Sequence, residues 1–369
     1  MAVGIRLSGP LQLSGGPAAG RSFSRGVSVY PGLSDSRGYF RATVFTLVLA
    51  SSAPLGAERS GRRLDGWAWA GGPCHSGVRM KLAVIVPTHG RRELVLDFLR
   101  HLEKQHRLPD EVIISAPDES HIPPYRSERM QVTHVFGLRG LAAQRNQALH
   151  QALDHFDIIT FFDDDFLPAP DYLDVLLKAF EENSDYSVIM GSVAADGARG
   201  AGLSFQEGLS ALQTSHGMRP ARVSVIDHPG AYGCNMSLRS KQVGTLRFDE
   251  RLPLYGWQED IDFTSQLRRH GRIVQLSNLV GVHLGIKSGK VSGVRFGYSQ
   301  VVNPIYLIRK GTMGLRFGAN LIGRNLVANL ARSFNPEPYI DRRGRLQGNI
   351  LGICHVMTGR IEPEHILKL

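Results

Sequence analysis

The chain has 369 residues, 42% hydrophobic and 21% charged, a globular balance that excludes a fibrous or wholly disordered protein. Its net charge of +10 is uneven: residues 1–79 carry nine Arg, no Lys and three acids, a local +6, and the other 290 residues hold 34 basic and 30 acidic side chains, or +4. A basic leader ahead of a nearly balanced body gives no ground for a nucleic-acid-binding fold, and no basic stripe has the aromatic interleaving that stacking on bases needs.

The leader, residues 1–79, holds 14 Gly and no sustained apolar period, and is expected to be disordered. Two readings of it compete. One is an Arg-rich targeting peptide, or a poor secretory signal with the apolar run Thr43–Ala50 as its centre. The other is an upstream over-reading of the gene, because Met80-Lys81 followed at once by an apolar run looks like a natural start. That run, like every other, falls short of the roughly 18 apolar residues of a membrane-spanning helix. Cys74, Cys234 and Cys354 are too far apart, and in the wrong number, for a disulfide framework or a zinc ribbon, which points to a soluble protein of a reducing compartment.

From Lys81 onward the pattern changes. Leu82–Val86, Val112–Ser115 and Ile158–Phe162 are continuous, β-branched apolar runs, the mark of strands buried on both faces of a parallel sheet. Between the first two, Leu94, Phe98 and Leu102 recur four apart and predict a helix. Gly140–Leu153 and Asp171–Glu182 predict two more, the second N-capped by Asp171. This alternation predicts a doubly wound, mostly parallel α/β sheet with flanking helices, whose ligands sit at the carboxyl ends of the strands. Residues 80–300 are assigned to that domain and 301–369 to a helical C-terminal extension. In the extension Ile322, Leu326, Val327, Leu330 and Phe334 share one helical face, opposite Arg324, Asn325, Asn329 and Arg332. Such a helix either lies on an anionic membrane surface or packs its apolar face on the core. Pro336, Pro338 and Asp341–Arg345 read as a basic, turn-rich linker.

The strongest chemical signal closes the third run. Ile158–Phe162 leads directly into Asp163, Asp164 and Asp165, three carboxylates that repel one another unless a cation or donors offset them. Mg²⁺ or Mn²⁺ suits such oxygens and completes its shell with water and phosphate. A solvated acidic turn is the alternative, and it fits poorly behind five apolar residues. Further on, Arg145-Asn146 falls within a helix and Gly233-Cys234-Asn235 forms a short segment with no base beside the cysteine. Trp257 precedes Glu259-Asp260 at a helix start, where two acids could merely complement the helix dipole. His283 ends another strand-like run, where a lone histidine is structural as often as it is a ligand.

In this order, Pro87-Thr88 at a strand end, an acidic loop around Asp118, Arg145-Asn146, the Asp triplet, Gly233-x-Asn235 and Glu259-Asp260 together resemble the family 2 glycosyltransferases. The resemblance covers roughly residues 81–290. It implies a GT-A fold and an inverting enzyme that moves a sugar from a nucleotide diphosphate-sugar to a glycan or lipid-linked acceptor. By resemblance Pro87, Thr88, Asp118, Arg145, Asn146, Asp163 and Asp164 would contact the nucleotide. Asp165, with Asp163 and His283, would hold Mg²⁺ or Mn²⁺. Gly233, Asn235 and Trp257 would flank the sugars, and Asp260 would act as general base with Glu259 beside it. The loop Ala116-Pro117-Asp118-Glu119-Ser120 departs from the commoner Asp-Asp-Gly-Ser form of the family. The C-terminal segment resembles the tails of polysaccharide-assembling members, which implies a bacterial cytoplasmic enzyme peripheral on the inner face of the cell membrane. Two rival readings are a nucleotidyltransferase, for which the loop after the first strand has only one Gly, and a nucleotide-sugar-binding protein that has lost catalysis.

Overall fold

The computed structural model describes residues 79–218, 222–287 and 292–369, which belong to one compact unit, His75–Leu369. Residues 1–78 lie outside the described residues, and with them the expectations for Thr43–Ala50 and for disorder in the leader. The first half of the unit follows the apolar pattern. β1 (Leu82–Pro87) is buried throughout, α1 (Arg92–Leu102) lays Val95, Phe98, Leu99 and Leu102 in the core, and β2 (Glu111–Ala116) and β3 (Val132–Phe136) follow. α2 (Leu141–Ala152) then leads into β4 (Ile158–Phe162), again buried throughout. β1 pairs in parallel with both β2 and β4, and β2 with β3, which gives the order β3-β2-β1-β4.

Beyond β4 the chain builds β5 (Phe166–Pro168), α3 (Tyr172–Glu182), β6 (Tyr186–Asp196), α4 (Phe205–Gly217) and β7 (Val225–Asp227). Next come β8 (Asn235–Arg239), a short α5 (Ser240–Val243), α6 (Glu259–Ser265) and β9 (Arg272–His283). The sheet continues β4-β8-β6-β9-β5, with β7 also on β9. Relative to β1, strands β2, β3, β4, β6 and β9 run the same way, and β5, β7 and β8 run opposite. The sheet is therefore mixed and mostly parallel, with helices on its faces and a helical C-terminal region, as the alternation predicts.

Two registers place the chemistry. β8 lies antiparallel on β4 with Asn235 opposite Phe162, so the Asp163 N–H donates to the Cys234 carbonyl at 3.2 Å and the acidic triplet meets the Gly233–Asn235 segment. β5 lies antiparallel on β9 with Phe166 opposite His283, so the last residue of β9 ends beside Asp165.

Several expectations change. Asp171 occupies the N-cap of α3 but its side chain makes no capping hydrogen bond, because its backbone (φ −101°, ψ 8°) has left the extended conformation that aims a cap at the first turn. The boundary drawn at residue 300 falls inside α7 (Gly293–Lys310). Asp341–Arg345 is no linker: Asp341 accepts from the Gly344 N–H at 2.7 Å and caps α9 (Arg342–Met357), whose first turn is basic. The amphipathic helix is α8 (Leu315–Arg332), and its buried side chains are not the apolar ones: Asn329 is fully buried while Val327 and Leu330 are exposed. Of the apolar face, Ile322 and Leu326 are half-buried against the neighbouring helices, while Val327, Leu330 and Phe334 stay exposed. Among the described residues no helix is long and apolar enough to cross a membrane.

Candidate active site

The carboxyl ends of β1 and β4 are adjacent, and the residues that leave them line one cleft: Pro87, Thr88, Asp163, Asp164 and Asp165, with His283 from β9 opposite. Asp164 and Asp165 are buried and differ in what they hold. Asp164 accepts from the Thr88 hydroxyl and from Arg91, each at 2.7 Å, and so clamps the ends of β1 and β4 together. Burial raises its pKa, and Arg91 offsets only part of that rise. Burial would raise Asp165 too, but His283, Arg91 and the Ile286 N–H (2.8 Å) hold its carboxyl below the usual range.

His283 stands between two carboxylates. Its Nε2 lies 3.3 Å from Asp165 and its Nδ1 lies 2.9 Å from Asp196, at the end of β6. Burial alone would lower its pKa, but the two acids outweigh it and raise the imidazole to about 10. One ligand atom each from Asp163, Asp165 and His283 lie within 4.8 Å of one another. Two carboxylates and an imidazole whose second nitrogen is fixed by a further carboxylate form a donor set that fits a hard divalent cation. Loading such an ion would displace the imidazolium proton.

For His283, a folded pKa above the unfolded value of 6.5 means that the ion pairs stabilise fully below about pH 6.5 and lose that contribution as pH rises through about 10. In chelator, melting temperatures of wild type and His283→Gln across that window should converge toward high pH; parallel curves would remove the imidazolium from the site.

A second cavity adjoins the first and shares Leu141, Asp163 and Tyr255 with it. Between them lies Arg145, 1% exposed, on α2. Its guanidinium donates to Asp163 (2.9 Å), to the Gly233 carbonyl (2.9 Å) and to Glu259, with its Cζ 5.8 and 5.6 Å from the rings of Phe161 and Phe248. It is thus no surface residue of its helix. Burial pushes Glu259 up to about 8 despite the arginine, with Asp260 and Asp163 adding to the rise. Asp260 faces the second cavity, and its carboxylate accepts from the Gly233 N–H and the Ile261 N–H, both at 2.8 Å. A Cβ at Gly233 would meet Arg145 nitrogens at 3.0 and 3.1 Å and the Asp260 Cβ at 3.1 Å, so glycine lets the strand approach this closely. The turn into α6 is strained: Gln258 takes a left-handed φ of 74°. Trp257 lines the same cavity, with Tyr232 and Met190.

Three other expected residues stand apart. Asp118 is exposed outside the cleft lining and accepts from the Ser120 N–H (2.8 Å) and hydroxyl, capping a short 3₁₀ turn. Asn146 points away from Arg145 and bonds the Phe248 backbone, donating to its carbonyl (2.9 Å) and accepting from its N–H (2.8 Å). Asn235 is fully buried in β8 and donates to the Gly191 carbonyl at 3.2 Å. Conversely, Arg91 and Asp196 hold the acids and the histidine without having been singled out. Arg91 had a signal, the basic pair after β1; Asp196 had none, because its partner is 87 positions away.

Residues 83–235 match the family model described as glycosyl transferase family 2. No curated protein sequence matches the chain. Among solved structures, S. aureus TarS residues 1–349 is similar at 15% identity and TM-score 0.48, covering 77% of this chain and 83% of that one. Longer TarS matches at 18% identity and TM-score 0.42 over 70% of this chain, which spans only 44% of its length. A mannosyltransferase from Pyrobaculum calidifontis in complex with GDP-Man and Mn²⁺ matches at 17% identity and TM-score 0.43, covering 79% and 86%.

Proposed function

From a glycosyl transferase family 2 domain over residues 83–235, we propose an inverting enzyme that moves a sugar from a nucleotide diphosphate-sugar to a hydroxyl of a glycan or lipid-linked acceptor, in cell-surface polysaccharide synthesis. The observation that carries this reading is the pair of adjoining cavities with Asp163 common to both, one lined by Asp165 and His283 and the other by Asp260. One displacement at an anomeric carbon needs this division, with the leaving group on one side and a proton acceptor on the other.

The donor's nucleoside would lie along Pro87 and Thr88, with its diphosphate toward Asp163, Asp165 and His283. A divalent cation held by those three would offset the charge that develops on the leaving diphosphate. Asp260 takes the proton from the acceptor hydroxyl; that oxygen forms its bond to the anomeric carbon as the bond to the diphosphate oxygen breaks, and the nucleotide leaves with the electron pair. The Gly233 and Ile261 N–H groups orient the Asp260 carboxylate. Glu259 fixes Arg145, whose charge favours ionised acids at the centre of the site. Trp257 offers an apolar ring to the acceptor sugar. Asp164, spent on Thr88 and Arg91, serves as a brace behind the nucleotide. Cytoplasmic activity, peripheral on the inner membrane face, suits an enzyme without a spanning helix among its described residues.

The test is donor turnover with Mn²⁺ across UDP-, GDP- and dTDP-sugars, the released or transferred sugar being followed by NMR. One donor class should be consumed with inversion at the anomeric carbon. A product of retained configuration would overturn the mechanism, and consumption of a nucleoside triphosphate with a sugar phosphate instead would make the chain a nucleotidyltransferase.

A further inference from the structure

Helix α8 buries amides on its inner side and leaves part of its apolar surface outside. On its inner side Asn329, fully buried, donates to Gln300 of α7 and Asn349 of α9, each at 2.8 Å, and accepts from Arg342 at 3.0 Å. Asn325 accepts from Gln300 at 2.9 Å. Amides form the fully buried part of the contact between α8 and its neighbours. Glycines bring α7 and α9 to backbone contact beneath it, since a Cβ at Gly297 or Gly348 would meet a backbone oxygen at 2.0 Å. A buried amide network is costly unless fully bonded, and its usual reward is a unique arrangement of the elements it joins.

Three apolar side chains lie outside. Val327 and Leu330 of α8, and Phe334 just beyond it, are 68%, 53% and 81% exposed. At i, i+3 and i+7 they form one stripe. Toward the other end Leu315 and Phe317 are also exposed. α8 carries Arg316, Arg324 and Arg332 and no acid of its own, though Arg332 pairs with Glu337 beyond the helix, and residues 311–369 hold eight Lys and Arg against four Asp and Glu. An apolar stripe on a basic, acid-free helix complements anionic lipid headgroups over an acyl layer. A second copy would bring another basic, acid-free helix to the same face, which like charge disfavours. The same helix also reaches the site, because Phe317 lines the cavity that holds Asp260.

We propose that the outer face of α8 rests on an anionic lipid bilayer, so that the mouth of the Asp260 cavity opens at the membrane surface. This deepens the reading above: given Asp260 as the acceptor-side base, a lipid-linked acceptor is the class that the cavity is placed to meet. The docking itself is read independently of catalysis.

The experiment uses the full chain and vesicles of phosphatidylcholine with or without phosphatidylglycerol. Wild type should co-sediment with the anionic vesicles. The triple variant Val327→Asp, Leu330→Asp, Phe334→Asp should partition at least about tenfold less, a small share of what burying Val, Leu and Phe side chains provides. Because the three positions are exposed, its melting temperature and lipid-free donor hydrolysis should match wild type. Phe317→Asp should also weaken vesicle binding if the cavity mouth reaches the lipid. The leader is common to every variant, so equal binding by all would assign the affinity elsewhere and overturn the proposal. So would a wild type that ignores vesicles but self-associates through this face. If vesicle binding behaves as expected while Asp260→Asn keeps full transfer, the docking stands and the catalytic reading falls.

Discussion

Asp260→Asn is expected to lower sugar transfer about 10²–10⁴-fold, the range that a positioned general base contributes, while donor binding stays within about twofold of wild type. The amide is close in shape to the carboxylate, and its oxygen can still accept from the Gly233 N–H, so the strand and α6 should keep their contact. What it cannot do is take a proton. The same residue is expected to set the acid limb of the pH profile. Burial lifts Asp260 above the ordinary carboxylate range, and a base works only when ionised, so wild-type activity should fall with decreasing pH through a midpoint above about 4, the value of a solvated Asp. Steady-state rates for the two proteins over a pH series provide the check. Equal turnover, or an acid limb at the solvated value, would take the base role away from Asp260.

Asp165→Asn is expected to abolish most of the divalent-ion activation, a loss of about 10²–10³-fold if several kcal/mol of charge stabilisation is removed. Asp165 is the acid on which His283, Arg91 and the Ile286 N–H converge. A neutral amide there weakens the donor set and leaves Arg91 and the imidazolium facing less negative charge. Mn²⁺ affinity by calorimetry gives a readout apart from turnover and should fall in parallel. Asp164→Asn is the contrast, because its carboxylate is committed to Thr88 and Arg91; its loss should appear in stability more than in Mn²⁺ affinity. An Asp165→Asn protein with wild-type affinity for Mn²⁺ would refute the assignment.

The parts of the fold that the sequence announces are those in which one element carries a pure signal. β1, β2 and β4 are unbroken apolar runs because both faces are covered, and each is buried almost end to end. β6 and β9 were harder to see: the far half of β6 is only half-buried, and β9 mixes Gln275, Ser277 and Asn278 with its apolar residues. α9 hides behind arginines and glycines that serve interhelical contact instead of a stripe. Within the site the aspartates were legible because charge at the end of an apolar strand demands an explanation. Asp196 was not, since its meaning depends wholly on His283, far away in sequence and brought near by the parallel pairing of β6 with β9. Asn329 misled for a related reason. A polar residue on an amphipathic helix is read as facing water unless the amides that receive it, on α7 and α9, are known.

Arg145 has a consequence for how such a protein can diversify. One sealed guanidinium touches Asp163, which borders both cavities, and Glu259, which neighbours Asp260. A lysine has neither the planar fork nor the reach to serve both partners at once. On the proposed roles, a substitution at Asp163 on the nucleotide side also disturbs the support of Asp260, and the reverse holds at Glu259. On that reading the two substrate preferences are tied together at this centre, and separate adjustment falls to the outlying loops.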